Sequence, residues 1–122
     1  MTLKTLSKLK SKWQKRLRIQ DWDIELKLVR HNKFSCGESG LLGACFVESH
    51  KKCATVELVD ERDVTNKSDD PTEIVLVHEL LHVVMPMIDL KLEADDSNPS
   101  YIAYERVVDQ LAKTLVEAYS VR

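Results

Sequence analysis

The sequence predicts an α+β fold, on three observations. Leucines and a tryptophan recur at helical spacing through residues 2–18. The residues after them alternate between apolar and charged. The second half holds two long segments, each opened by helix-start signals. The expected order is an N-terminal helix, a small sheet of three strands or four, and two further helices layered on it.

The first helix rests on Leu3, Leu6, Leu9, Trp13 and Leu17, which form an apolar stripe among Lys and Arg. Trp22, Ile24, Leu26 and Leu28 then alternate with Asp23, Glu25 and Lys27, the period of a half-buried strand. Residues 30–43, RHNKFSCGESGLLG, contain all 3 glycines and read as a loop. Ala44 to Glu48 and Thr55 to Val59 read as two more strands, joined through SHKKC as a hairpin. Residues 60–70 are acidic and irregular. Asp70 is the expected cap of the next helix, with Pro71 in its first position and Glu73 completing a capping-box pattern. That helix should end near Met85, because Pro86 disfavours its continuation. After DLKLEADDSN, Asn98 as cap and Pro99 as first residue open a last helix running to about Tyr119.

The composition suits one soluble domain over residues 1–122: 43% of the side chains are hydrophobic, 31% are charged, and glycine and proline number 3 each. No apolar run approaches the ~20 residues of a membrane span, and the N-terminus lacks the apolar core of a secretory signal. A cytoplasmic location is the expectation. Cys36, Cys45 and Cys53 are odd in number and make no CxxC pair, so free thiols are expected. Residues 1–20 hold seven Lys or Arg and no acid, although the whole chain carries a net charge of -2. Basic residues 4–18 therefore suit either a solvated helix face or a nucleic-acid contact.

Chemistry concentrates in IVLVHELLHVVM, residues 74–85, where His78, Glu79 and His82 interrupt an apolar run. Burying such groups without partners is costly. HELLH matches H-E-x-x-H, in which residues i and i+4 share one helix face and two imidazoles can hold one Zn²⁺. Glu79 falls on the flank of that face, placed to take a proton from an attacking water. A catalytic zinc site usually has a third protein ligand and one open position. The HExxHxxGxxH pattern is excluded, because Met85 and Ile88 stand where its glycine and third histidine belong.

The last helix offers a candidate. Its apolar residues include Tyr101, Val108, Leu111, Ala112, Leu115 and Tyr119. At ~100° per residue Glu105 falls within that stripe. A carboxylate on a buried face needs a partner, and a metal would supply one. Asp109, one turn further on, is the candidate to orient a ligand histidine, His78 in particular.

HELLH followed by ERVVD, residues 105–109, resembles the gluzincin metallopeptidases, and most of all their single-domain, minimal members. The resemblance spans most of the chain and implies a zincin-like fold. It implies that His78, His82 and Glu105 bind zinc, that Glu79 is general base and acid, and that Asp109 orients a ligand histidine. It also implies a peptide or protein substrate, paired with an edge strand above the metal, here Ala44–Glu48. Larger members stabilise the oxyanion with a side chain from a second, helical subdomain. No such subdomain is expected after ERVVD, and Tyr101 is the candidate replacement, otherwise a core or rim aromatic. Two further readings keep the metal. One is a SprT-like or regulator-cleaving protease brought to DNA by the basic first helix. The other is a non-catalytic protein-binding module whose zinc is closed by Glu93, Asp95 or Asp96. None of these readings involves a membrane.

Overall fold

The computed structural model describes residues 2–64, 70–85 and 98–120. The fold is α+β. In chain order it has α1 (Leu3–Arg16), β1 (Asp23–Val29), β2 (Gly43–Glu48), β3 (Cys53–Val59), α2 (Thr72–Val84) and α3 (Pro99–Ser120).

Helix α1 starts where the Thr2 hydroxyl accepts from the Thr5 N–H at 3.2 Å, and it ends with Lys15 and Arg16 near the negative pole of its dipole. Leu6 and Trp13 are buried, and Leu9 and Leu17 pack around them. The Gln14 amide turns inward and donates to the Ile19 and Trp22 carbonyls at 3.2 and 3.0 Å. That buried bond pair holds the chain as it turns into β1.

The three strands run in the order β1-β3-β2, with β3 parallel to β1 and antiparallel to β2. Strand β3 is therefore central. Its Ala54, Val56 and Leu58 are buried toward the helices. Among the described residues strand β2 pairs only with β3, so its other side is a sheet edge there. Lys52, at φ 50°, closes the tight turn between β2 and β3. The loop from β1 to β2 crosses the sheet face turned away from the helices. There Ser35 donates its N–H and hydroxyl to the buried Glu57 carboxylate at 3.1 and 2.6 Å. Phe34 is buried beside that anchor, and Arg30 and the His31 N–H hold Asp63 at the start of the loop.

Helix α2 departs from the expected start. Its N-cap is Pro71, with extended ψ of 150°, and no side chain caps the first turn. Asp70 stands one residue too far out and instead lies 3.9 Å from Lys113. Glu73 likewise leaves its capping-box role and accepts from the Trp13 indole N–H at 2.8 Å, which ties α1 to α2. Helix α3 begins as expected, with the Asn98 side chain accepting from the Ser100 N–H at 3.0 Å. Its packed face centres on Val108 and Ala112, with Tyr104, Leu115, Val116 and Tyr119 beside them. Leu111, expected in that stripe, is 38% exposed because the packed face turns away from it. Leu76, Val77, Leu80, Leu81 and Val83 of α2 complete the core between sheet and α3. No described helix is long and apolar enough to cross a membrane.

Candidate metal centre

Helix α2 presents His78 and His82 one turn apart, with ring centroids 5.2 Å from each other. Helix α3 brings Glu105 against both. Its two carboxylate oxygens lie 3.2 Å from His78 Nε2 and 3.1 Å from His82 Nε2. One ligand atom from each residue falls within 4.8 Å of the others. A tetrahedral ion with bonds of about 2.0–2.1 Å needs donor atoms about 3.3 Å apart. Each histidine–Glu105 pair is close to that spacing as it stands, and the three donors together lie within 4.8 Å. Two imidazole nitrogens and a carboxylate also make a suitable donor set for a borderline divalent ion, with a position left open.

Within the trio, His78 and Glu105 stabilise each other's charged forms. His78 is raised from its ordinary value: burial opposes the charge, but the hydrogen bond it donates to Glu105 and the nearby Glu79 and Asp109 outweigh it. Glu105 is lowered to about 2, because its bonds to His78 and His82 override the cost of burial.

Glu79 lies at the edge of the same group and is only 7% exposed. Burial pushes its carboxyl up to about 7, against the pull of His78 and His82. Space for that side chain depends on Gly43, the first residue of β2. A Cβ at Gly43 would come within 2.8 Å of Val75 Cγ1 and 3.0 Å of Glu79 Oε2. The sequence placed Gly43 at the end of a loop, where its closeness to α2 left no trace.

The far ring nitrogens are held differently. His82 Nδ1 lies 3.0 Å from the Tyr104 hydroxyl, which also bonds the Met85 carbonyl at the end of α2. His78 Nδ1 lies 3.7 Å from Asp109 Oδ1, and Asp109 also holds Lys113 at 2.9 Å. Asp109 therefore stands beside the expected histidine, at ion-pair rather than hydrogen-bond distance. Tyr104 escaped the sequence reading because an aromatic on a packed helix face reads as core. Its one signal was its place next to Glu105. Burial, with Glu105 next, pushes the Tyr104 phenol up to about 12, so it stays protonated near neutrality.

The site opens into a cleft of about 470 Å³. Its floor is His78, Glu79, His82 and Glu105, and residues 43–47 of the edge strand form one wall. Cys36, Glu38 and Leu41 from the long loop, and Tyr101 from α3, line the rest. Cys36, Cys45 and Cys53 are free thiols. Burial, reinforced by Glu79, pushes Cys45 up to about 12 and keeps it a neutral wall residue rather than a thiolate ligand. His31 lies away from the site, its Nδ1 3.3 Å from Asp63, and His50 sits in the exposed turn before β3. Glu93, Asp95 and Asp96, the candidates for a fourth ligand, lie outside the described residues. No family model matches this chain, and neither the curated proteins nor the solved structures provide a match.

Proposed function

We propose that this chain is a zinc-dependent peptidase of the gluzincin type. One observation carries the reading: His78, His82 and Glu105 converge within ligand reach of one another beside a buried carboxylate, Glu79, in a cleft walled by β2, the edge strand of the described sheet. Bound zinc would polarise a substrate carbonyl and make water a stronger acid.

The chain's own residues supply the rest. The outer side of β2, where no described strand pairs, would offer an extended peptide a pairing partner along residues 43–47. That pairing would carry a peptide carbonyl across the cleft floor. Glu79, raised to about 7, is poised to exchange a proton near neutral pH. It takes a proton from the attacking water as the new C–O bond forms, and it returns that proton to the leaving nitrogen as the C–N bond breaks. Tyr101, on the cleft wall, is the candidate to stabilise the negative oxygen between those events.

Zinc content and cleavage of a peptide library test this directly, on wild type, Glu79→Gln and Glu105→Ala. Wild type and Glu79→Gln should both carry one zinc, with cleavage only in wild type. Glu105→Ala should bind zinc on the order of 100-fold more weakly, or worse, since even outer contacts to ligands contribute 10–100-fold. Zinc without cleavage in every variant would favour a binding module. Absence of stoichiometric zinc from wild type would end both metal readings.

A second feature favours recruitment to a polyanion. Lys4, Lys8, Lys12 and Lys15 line one open face of α1 with Ser7 and Ser11, and none of the four lysines is ion-paired with a described residue. That face suits a DNA-associated protease as the alternative reading.

A further inference from the structure

We propose that Tyr104 is a positioning residue that fixes the tautomer and ring orientation of His82, so that Nε2 is the nitrogen offered to the metal. The inference rests on the metal-site reading above and extends it to how the site is set before an ion arrives.

A tyrosine hydroxyl has one proton to give. Tyr104 donates it to the Met85 carbonyl, which can only accept. The same oxygen lies 3.0 Å from His82 Nδ1. With its proton committed, the hydroxyl meets that nitrogen as an acceptor, so His82 carries its hydrogen on Nδ1. In the neutral ring the lone pair is then on Nε2, which faces Glu105 at 3.1 Å. Two electron-rich atoms at that distance require a proton or a cation between them. The hydroxyl also joins α3 to the last residue of the α2 end, so the ring is held from behind by both helices that supply ligands.

Asp109 was the expected orienting group, but the geometry assigns the stronger hold to Tyr104. Asp109 is 3.7 Å from His78 Nδ1 and shares its carboxylate with Lys113. Tyr104 is within hydrogen-bond reach of its histidine, and the other partner of its hydroxyl is the uncharged Met85 carbonyl. Tyr104→Phe removes the hydroxyl alone and leaves the ring that packs against the core.

The experiment compares zinc affinity, by competition with a chromophoric chelator, for wild type, Tyr104→Phe and Asp109→Asn. Histidine ¹⁵N–¹H spectra of the zinc-loaded proteins are recorded alongside. Tyr104→Phe should weaken zinc binding about 10-fold or more, in the range of other contacts that orient ligand histidines, and more than Asp109→Asn does. The wild-type spectrum should show His82 bound through Nε2, with an Nδ1–H proton sheltered from exchange. That proton should exchange rapidly in Tyr104→Phe although zinc is still bound. A merely structural role would leave this signal unchanged. Equal affinity in wild type and Tyr104→Phe, or zinc on His82 Nδ1, would overturn the assignment while leaving the metal site intact. Failure of wild type to bind zinc would instead overturn the metal reading and the assignment with it.

Discussion

At the scale of single residues, Glu79 has the most to reveal. It is a carboxylate 7% exposed, with its pKa raised from 4.5 to about 7. Ionising it in the folded, metal-free protein costs stability, and the cost grows as pH rises through that interval. Glu79→Gln removes the cost. The metal-free variant should therefore be more stable than wild type at pH 8 by about 1 to 3 kcal/mol, and scarcely different at pH 4. Denaturant titrations at the two pH values check this, and an equal gain at both would contradict it. Glu105 behaves in the opposite sense. Its lowered pKa of about 2 stabilises the metal-free fold above the ordinary 4.5, and that contribution fades as pH falls toward 2. His78, raised, adds its share below about 6.5 and loses it as pH rises through its folded value. Glu79→Gln with Glu105→Ala should therefore leave a metal-free protein without the stability maximum between about pH 4.5 and 6.5 that this pair gives wild type. At this scale the sequence was informative where spacing carries chemistry. HELLH and the buried-face position of Glu105 were both legible. Tyr104 and Gly43 were not, because a hydroxyl's partner and a missing Cβ leave no periodic signature.

At the scale of elements, the approach of β2 to α2 matters most. The Gly43 backbone comes so close that an added methyl would meet both Val75 and Glu79. Gly43→Ala should destabilise the protein by about 1 to 3 kcal/mol through overpacking. It should also lower peptide cleavage more than zinc affinity, because the displaced group is Glu79 and not a ligand. Thermal melting and parallel zinc titration distinguish these effects; unchanged stability and activity would contradict the close contact. The helices and strands were legible from hydropathy period. The start of α2 was misread by one residue, since Pro71 takes an extended ψ and moves Asp70 out of capping reach. The parallel pairing of β1 with β3 was not legible, because it joins segments 30 residues apart in register, Asp23 with Cys53. Hairpin turn signals report only the local pairing of β2 with β3.

At the scale of the whole molecule, one buried cluster joins α1, the sheet, α2 and α3, and the candidate site lies on its rim where α2, α3 and β2 meet. The candidate ligand residues stand on two packed helices, α2 and α3, with β2 lining the cleft beside them, which suits a site that must be set before its ion binds. Helix α1 carries the lysines that have no ion pair with a described residue. Reversing Lys4, Lys8 and Lys12 to Glu should abolish any salt-dependent DNA binding, with a fall in the salt slope of about 0.9 per lost phosphate contact. The same change should leave zinc content unaltered. Binding that persists in the triple variant would remove the recruitment reading. The most direct measurement of the central claim is the release of new amino termini from an unstructured peptide library by two zinc-loaded proteins, wild type and Glu79→Gln. Cleavage by wild type, reduced about 10²–10⁴-fold in Glu79→Gln at equal zinc content, is the expected result. Equal cleavage by both proteins, or none by a wild type carrying its zinc, would contradict it.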